Sequence, residues 1–86
     1  MSVLTKGKDA ARLLDDPVLK EAISSMKTIA FQGIEQSLAD EEKKRTDLYY
    51  LLRAINHFEQ ILTNFIHNGL IEQNELKETV LRTIIR

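Results

Sequence analysis

Between its single proline and its three glycines, this chain of 86 residues has few places to turn. The apolar residues recur at helical rather than alternating spacing. Together these features restrict the chain to long helices. We read an all-α fold, an antiparallel helical hairpin with short flanking N- and C-terminal helices, in a single domain spanning 1–86. The helices are expected at about 8–14, 17–37, 41–68 and 72–85. Asp15 or Asp16 can cap the second helix, and Pro17 suits its first turn, where no amide proton is needed. Ser37 with Asp40 has capping-box spacing for the third, although Asp40 could be the cap itself, and either choice places Glu41 and Glu42 in the first turn. Gly69 is expected to stop that helix in the left-handed conformation.

In the second helix Val18, Leu19, Ala22, Ile23, Met26, Ile29, Ala30 and Ile34 form one stripe, the pattern of a helix with one buried side. In the third, Leu48, Leu51, Leu52, Ile55, Phe58, Leu62, Phe65 and Ile66 form the apolar centre, widened by Ala54 and Ile61. That arc covers about half the helix circumference, more than one neighbouring helix needs. Leu51, Ile55, Phe58 and Leu62 are expected to bury against Leu19, Ile23, Met26 and Ala30. The residues this hairpin leaves over are the candidate contacts with other chains: Phe31, Leu38, Tyr49, Ala54, Ile61, Ile84 and Ile85.

Size points the same way. A single core in so short a chain supplies only a few kcal/mol of net stability. Cysteine is absent, so disulfides cannot staple the fold and thiolate zinc sites are excluded. Reinforcement is expected from assembly with copies of itself, as a homo-oligomer. The apolar runs are too short to span a bilayer, and residues 1–8 lack an apolar signal core. We expect no membrane association and a location in the cytoplasm.

Catalytic chemistry has little to draw on. His57 and His67 are the only histidines, and ten residues of helix place them about 15 Å apart, too far to share a metal within one chain. No glycine-rich phosphate loop is present. The serines lack a base assignable from sequence, and the paired acids read as helix starts. We expect no enzymatic activity, no cofactor, no metal and no small-molecule substrate.

The run from Asp40 to Asp47 is the strongest charge feature. Glu41 with Arg45 and Lys43 with Asp47 are spaced for exposed ion pairs, so a solvated helix start explains the run. The competing reading puts Lys43, Lys44 and Arg45 at the tip of a hairpin, where a ring of subunits repeats them into a basic rim that contacts DNA. Lys6, Lys8 and Arg12 form a second candidate. The net charge of −1 argues against a domain devoted to holding nucleic acid non-specifically.

The stretch from Ala11 through Asp16-Pro17 to Ala22, then an acidic turn, Arg45, Leu48, Tyr49 and Arg53-Ala54, resembles a family of short helical proteins of tailed phages. These are encoded among the DNA-packaging and head-assembly genes. The resemblance covers about residues 10–70. It implies a packaging or morphogenesis role like that of small terminase subunits, which form rings, recognise viral DNA and regulate the packaging motor. The partners implied are the chain itself, the large terminase subunit and viral DNA, in the cytoplasm of a bacterial host cell. We expect no separate DNA-binding domain of the kind that the larger members carry. The alternative function is a small adaptor or inhibitor that docks on another phage or host protein through Phe31, Leu38 and Tyr49.

Overall fold

A computed structural model describes residues 2–85, except the side chain of Ile85. The described residues are helical, with no strand: α1 covers Val3–Asp15, α2 covers Pro17–Glu35 and α3 covers Glu42–Ile85. The all-helical expectation holds, with three helices in place of four.

Local hydrogen bonding explains most of the boundaries. Ser2 Oγ accepts from the Thr5 amide at 3.1 Å, and Ser2 O accepts from the Lys6 amide at 2.9 Å. This serine cap starts α1 at Val3, well before the expected residue 8. Asp16 caps α2 as its sequence implies, with Oδ1 accepting from the amides of Val18 at 2.9 Å and Leu19 at 3.0 Å. Pro17 then occupies the first turn. At the other end, Ser37 Oγ donates to Ile34 O at 2.7 Å, so Ser37 closes α2 instead of opening α3. Glu41 takes the position before α3 that Ser37 or Asp40 was expected to fill. Its carboxylate accepts from the Leu38 amide at 2.8 Å, and its carbonyl accepts from the Arg45 amide at 3.2 Å.

The largest correction is at Gly69. No described glycine has positive φ, and α3 runs through Gly69 as one helix of 44 residues. The separate last helix at 72–85 therefore does not exist. By compact packing the chain divides into two units, one of Asp15–Gln60 and one of residues up to Leu14 with those from Ile61 onward.

In the Asp15–Gln60 unit, the contacts between the two helices step away from the turn in opposite directions. Arg45 meets Ser37, Leu48 lies against Gly33, and Lys27 Nζ pairs with Glu59 Oε1. Ile23, Ala30, Leu52 and Ile55 are buried here. The Lys27–Glu59 pair sits among them about one third exposed on each side. A half-buried pair of this kind adds little net stability but disfavours a shifted register, which would leave one charge facing an apolar partner.

Leu51, Phe58 and Met26 are not core residues. They remain 40%, 45% and 42% exposed. The α3 positions of this unit that lose solvent instead follow alternating steps of three and four: Arg45, Leu48, Leu52, Ile55 and Glu59. Leu51 and Phe58 lie one residue off that seam. Removing Phe58 within one chain therefore costs less than removing Ile55.

In the other unit the helices meet through glycine. A Cβ added at Gly7 would stand 2.8 Å from Phe65 O and 3.0 Å from Gly69 Cα, and one added at Gly69 would stand 3.1 Å from Gly7 Cα and 3.3 Å from Val3 O. These neighbours are backbone atoms, which cannot swing aside. Ala10 and Leu62 are buried in the same unit, and Lys6 Nζ lies 4.9 Å from the centre of the Phe65 ring. Gly69 is thus needed for close approach and not for a left-handed turn.

Two stability tests follow from this packing. Alanine normally stabilises a helix interior by about 1 kcal/mol relative to glycine. Gly7→Ala and Gly69→Ala should have the opposite sign, destabilising by about 1–3 kcal/mol in urea unfolding through backbone overlap. A raised midpoint for either would contradict the close crossing. Ile55→Ala should cost about 2–5 kcal/mol in the same experiment.

Candidate functional site

The basic run of the turn is largely committed to local structure. Arg45 Nη1 donates to Leu38 O at 2.6 Å and to Ser37 Oγ at 3.1 Å, while Nη2 donates to Ala39 O at 3.3 Å. A planar guanidinium can bind three acceptors of a turn at once, because its donors are fixed in a fork. Arg45 thereby ties together the turn that follows α2. Lys43 and Lys44 point outward, each beside an acid: Lys43 Nζ lies 3.1 Å from Asp47 Oδ2 and Lys44 Nζ lies 3.8 Å from Glu41 Oε2. These pairs are exposed and worth little energetically. They nevertheless reduce the local positive field that a phosphate would meet.

The second basic candidate is similarly occupied. Lys6 stacks on Phe65, Arg12 pairs with Asp9 at 2.7 Å, and Lys8 is exposed.

The candidate contact residues lie on the surface wherever they are described. Phe31 is 60% exposed, Leu38 65%, Tyr49 54%, Ile61 43% and Ile84 72%. Ala54 is exposed as well, and the side chain of Ile85 lies outside the described residues. Tyr49 and Tyr50 stand with ring centres 6.0 Å apart. The sequence reading missed a second group, Val18, Met26 and Ile29 on α2, which it placed in the core and which are exposed. The signal was present in the width of the α2 stripe: eight apolar positions exceed what a single seam can cover.

Three shallow grooves are relevant. One lies at the glycine crossing and is lined by Leu4, Gly7, Ala11, Ile66, Gly69 and Leu70. Another follows α3 past that crossing, along Gln73, Leu76, Lys77, Val80 and Leu81. The third is polar, between Arg53, Asn56, His57 and Gln60. Both histidines are exposed. Among the described residues no cluster of three or more His, Asp or Glu side chains is arranged to hold a metal. No described helix is long and apolar enough to cross a membrane.

In comparisons with known proteins, no family model matches this chain, and no curated protein or solved structure matches it.

The roles of the three basic residues can be separated by mutation. Arg45→Ala should cost about 1–2 kcal/mol, because charged hydrogen bonds to the turn are lost at a partly exposed site. Arg45→Lys should recover little of this, since one ammonium cannot reproduce the fork. Lys43→Ala and Lys44→Ala should each stay within about 0.5 kcal/mol of the parent. Equal effects at all three positions in urea unfolding would refute the distinction.

Proposed function

We propose that this chain is a self-assembling helical subunit, a DNA-packaging or morphogenesis component of the kind represented by small terminase subunits. In this reading antiparallel hairpins associate side by side as a homo-oligomer. The observation that carries the self-assembly is the imbalance of apolar surface. Among the described residues, the buried hydrophobic side chains are Ala10, Ile23, Ala30, Leu52, Ile55 and Leu62, whereas Val18, Ile29, Phe31, Leu38, Tyr50 and many others stand exposed. A chain that leaves so much apolar surface in water is better suited to association than to a solitary existence. The packaging role rests on the resemblance of residues 10–70 to the phage family, and it brings the large terminase subunit and viral DNA as partners.

Within this reading Lys43 and Lys44 are the DNA-facing candidates. Arg45 supports the turn that presents them. Repetition around an assembly would build a basic surface from a chain whose own net charge is −1. A second reading is favoured by Phe31, Leu38 and Tyr49, three exposed apolar side chains near the polar turn. They suit an adaptor or inhibitor that docks on a different protein.

Native mass in solution separates the two. The subunit reading expects an oligomer from purified protein, and the adaptor reading expects a monomer that enlarges only with another phage or host protein. For DNA, the assembled protein should shift viral DNA at low salt, with affinity falling steeply as salt rises. Lys43→Ala combined with Lys44→Ala should flatten that slope by about two phosphate contacts per subunit engaged. No shift at micromolar protein would remove DNA from the function and leave a protein-only role.

A further inference from the structure

We infer that one face of the Asp15–Gln60 unit is closed by the same face of a second copy, giving a two-fold pair whose centre is a four-helix layer. This deepens the self-assembly proposed above and rests on it. The argument begins with helix phase. On α2 the residues that lose solvent are Leu19, Ile23, Lys27, Ala30, Gly33 and Ile34. At 3.6 residues per turn, Val18, Ala22, Met26 and Ile29 form a second row, rotated by about 100° from that core row. On α3 the core row is Leu48, Leu52, Ile55 and Glu59. Leu51, Ala54 and Phe58 form a second row, again rotated by about 100° and in the same rotational sense.

Equal rotation on two antiparallel helices has a definite outcome. Seen from one end, the two helices wind in opposite senses because they run in opposite directions. Equal rotations away from their shared core therefore bring both second rows to one side of the pair. The contacts of Gly33 with Leu48 and Lys27 with Glu59 set the alignment. They place Met26 at the level of Phe58 and Ile29 at the level of Ala54. The result is one apolar face on two helices.

Its exposure is substantial. Val18 is 75% exposed, Met26 42%, Ile29 63%, Leu51 40% and Phe58 45%, and Ala22 and Ala54 are exposed between them. With large side chains of roughly 150–210 Å² each, these fractions amount to about 500 Å² per copy, so a self-pair would bury about 1,000 Å², the area that a specific interface needs.

Charge selects the occupant. No Asp, Glu, Lys or Arg falls on this side of α2 between Val18 and Gly33, or of α3 between Tyr50 and Phe58. A face meeting its own copy across a two-fold axis must be self-compatible, since every group confronts the same set of groups. An uncharged face meets that requirement with no like-charge contact and no stranded ion. The small exposed residues Ala22 and Ala54 allow the two layers to approach closely. Phe31 and Tyr49 lie on the other side of the pair, where Ser24, Thr28, Arg53 and Asn56 make the surface polar. They fall outside this contact.

The absence of native cysteine makes the face directly testable in the full-length chain. Single cysteines are introduced at Ala22→Cys and Ala54→Cys on the face, with Ser24→Cys on the far side of α2 as control. A short bismaleimide should link the face variants into covalent dimers and leave the control as monomer. In parallel, Ile29→Glu should weaken self-association about 100-fold or more in sedimentation, with helicity unchanged, because it strands two carboxylates in one dry contact. Phe31→Asp should leave the mass as it is. If the parent associates but Ile29→Glu keeps the native mass, or the control crosslinks in place of the face variants, this face is wrong while self-assembly stands. If the parent is monomeric at high micromolar concentration, both the face and the self-assembly fail. Should Ile29→Glu unfold the chain, the crosslinking of the two alanine positions decides alone.

Discussion

The packing of each compact unit depends on one row of α3 at alternating steps of three and four: Arg45, Leu48, Leu52, Ile55 and Glu59 in the Asp15–Gln60 unit, and Leu62, Ile66, Gly69 and Gln73 in the other. A helix that buries side chains at that spacing presents one narrow row to a neighbour. Each compact unit has one other helix to meet the row: α2 in the Asp15–Gln60 unit and α1 in the other. Neither row is uniformly apolar. Arg45, Glu59, Gly69 and Gln73 interrupt the leucines and isoleucines, and the first three have identifiable partners. Arg45 binds the carbonyls of the turn, Glu59 pairs with Lys27, and Gly69 admits the backbone of Gly7. Each interruption therefore specifies where its partner helix must lie. Leucine at all of these positions would permit several registers. Polar and glycine positions permit fewer.

The exposed apolar surface follows from the same geometry. A two-helix unit can bury one row per helix, but α2 and the matching stretch of α3 each carry two. The second rows cannot reach the shared core because they are rotated too far around the helix. They are left in water unless another layer covers them. In a domain of this length, where net stability is only a few kcal/mol, covering an apolar face is a substantial contribution. Assembly would then be part of the stability of the folded chain as well as its working form.

The sequence made the helical class legible through the scarcity of glycine and proline, and the Asp16-Pro17 start of α2 through its capping chemistry. Other features depended on information that no local pattern carries. Asn68-Gly69 has the composition of a helix stop, yet the glycine is there because α1 crosses at that point. Only knowledge of the neighbour distinguishes the two roles. Phe58 and Leu51 lie at the centre of a wide apolar arc, which by sequence alone predicts burial. When an arc contains two rows, its centre falls between them. Ile55, Leu52 and Leu62 are buried, and the adjacent row stays outside. Of the basic residues at the turn, the charge of Arg45 is evident in the sequence, but its hydrogen bonds to Ser37, Leu38 and Ala39 are tertiary and are not. The exposed positions Phe31, Leu38 and Tyr49 were legible as residues off the stripe. Val18, Met26 and Ile29 were hidden within it.

The central claim is that one copy of this chain leaves an apolar layer that association covers. Its most direct test is the thermal unfolding midpoint measured by circular dichroism across a wide range of protein concentration. If folding and association are linked, the midpoint must rise with concentration, because mass action stabilises the assembled state. The account predicts a steady rise over a hundredfold range of concentration, with the transition staying cooperative. A midpoint that does not change across that range would contradict it, and would establish that the exposed rows of α2 and α3 are tolerated by a stable monomer.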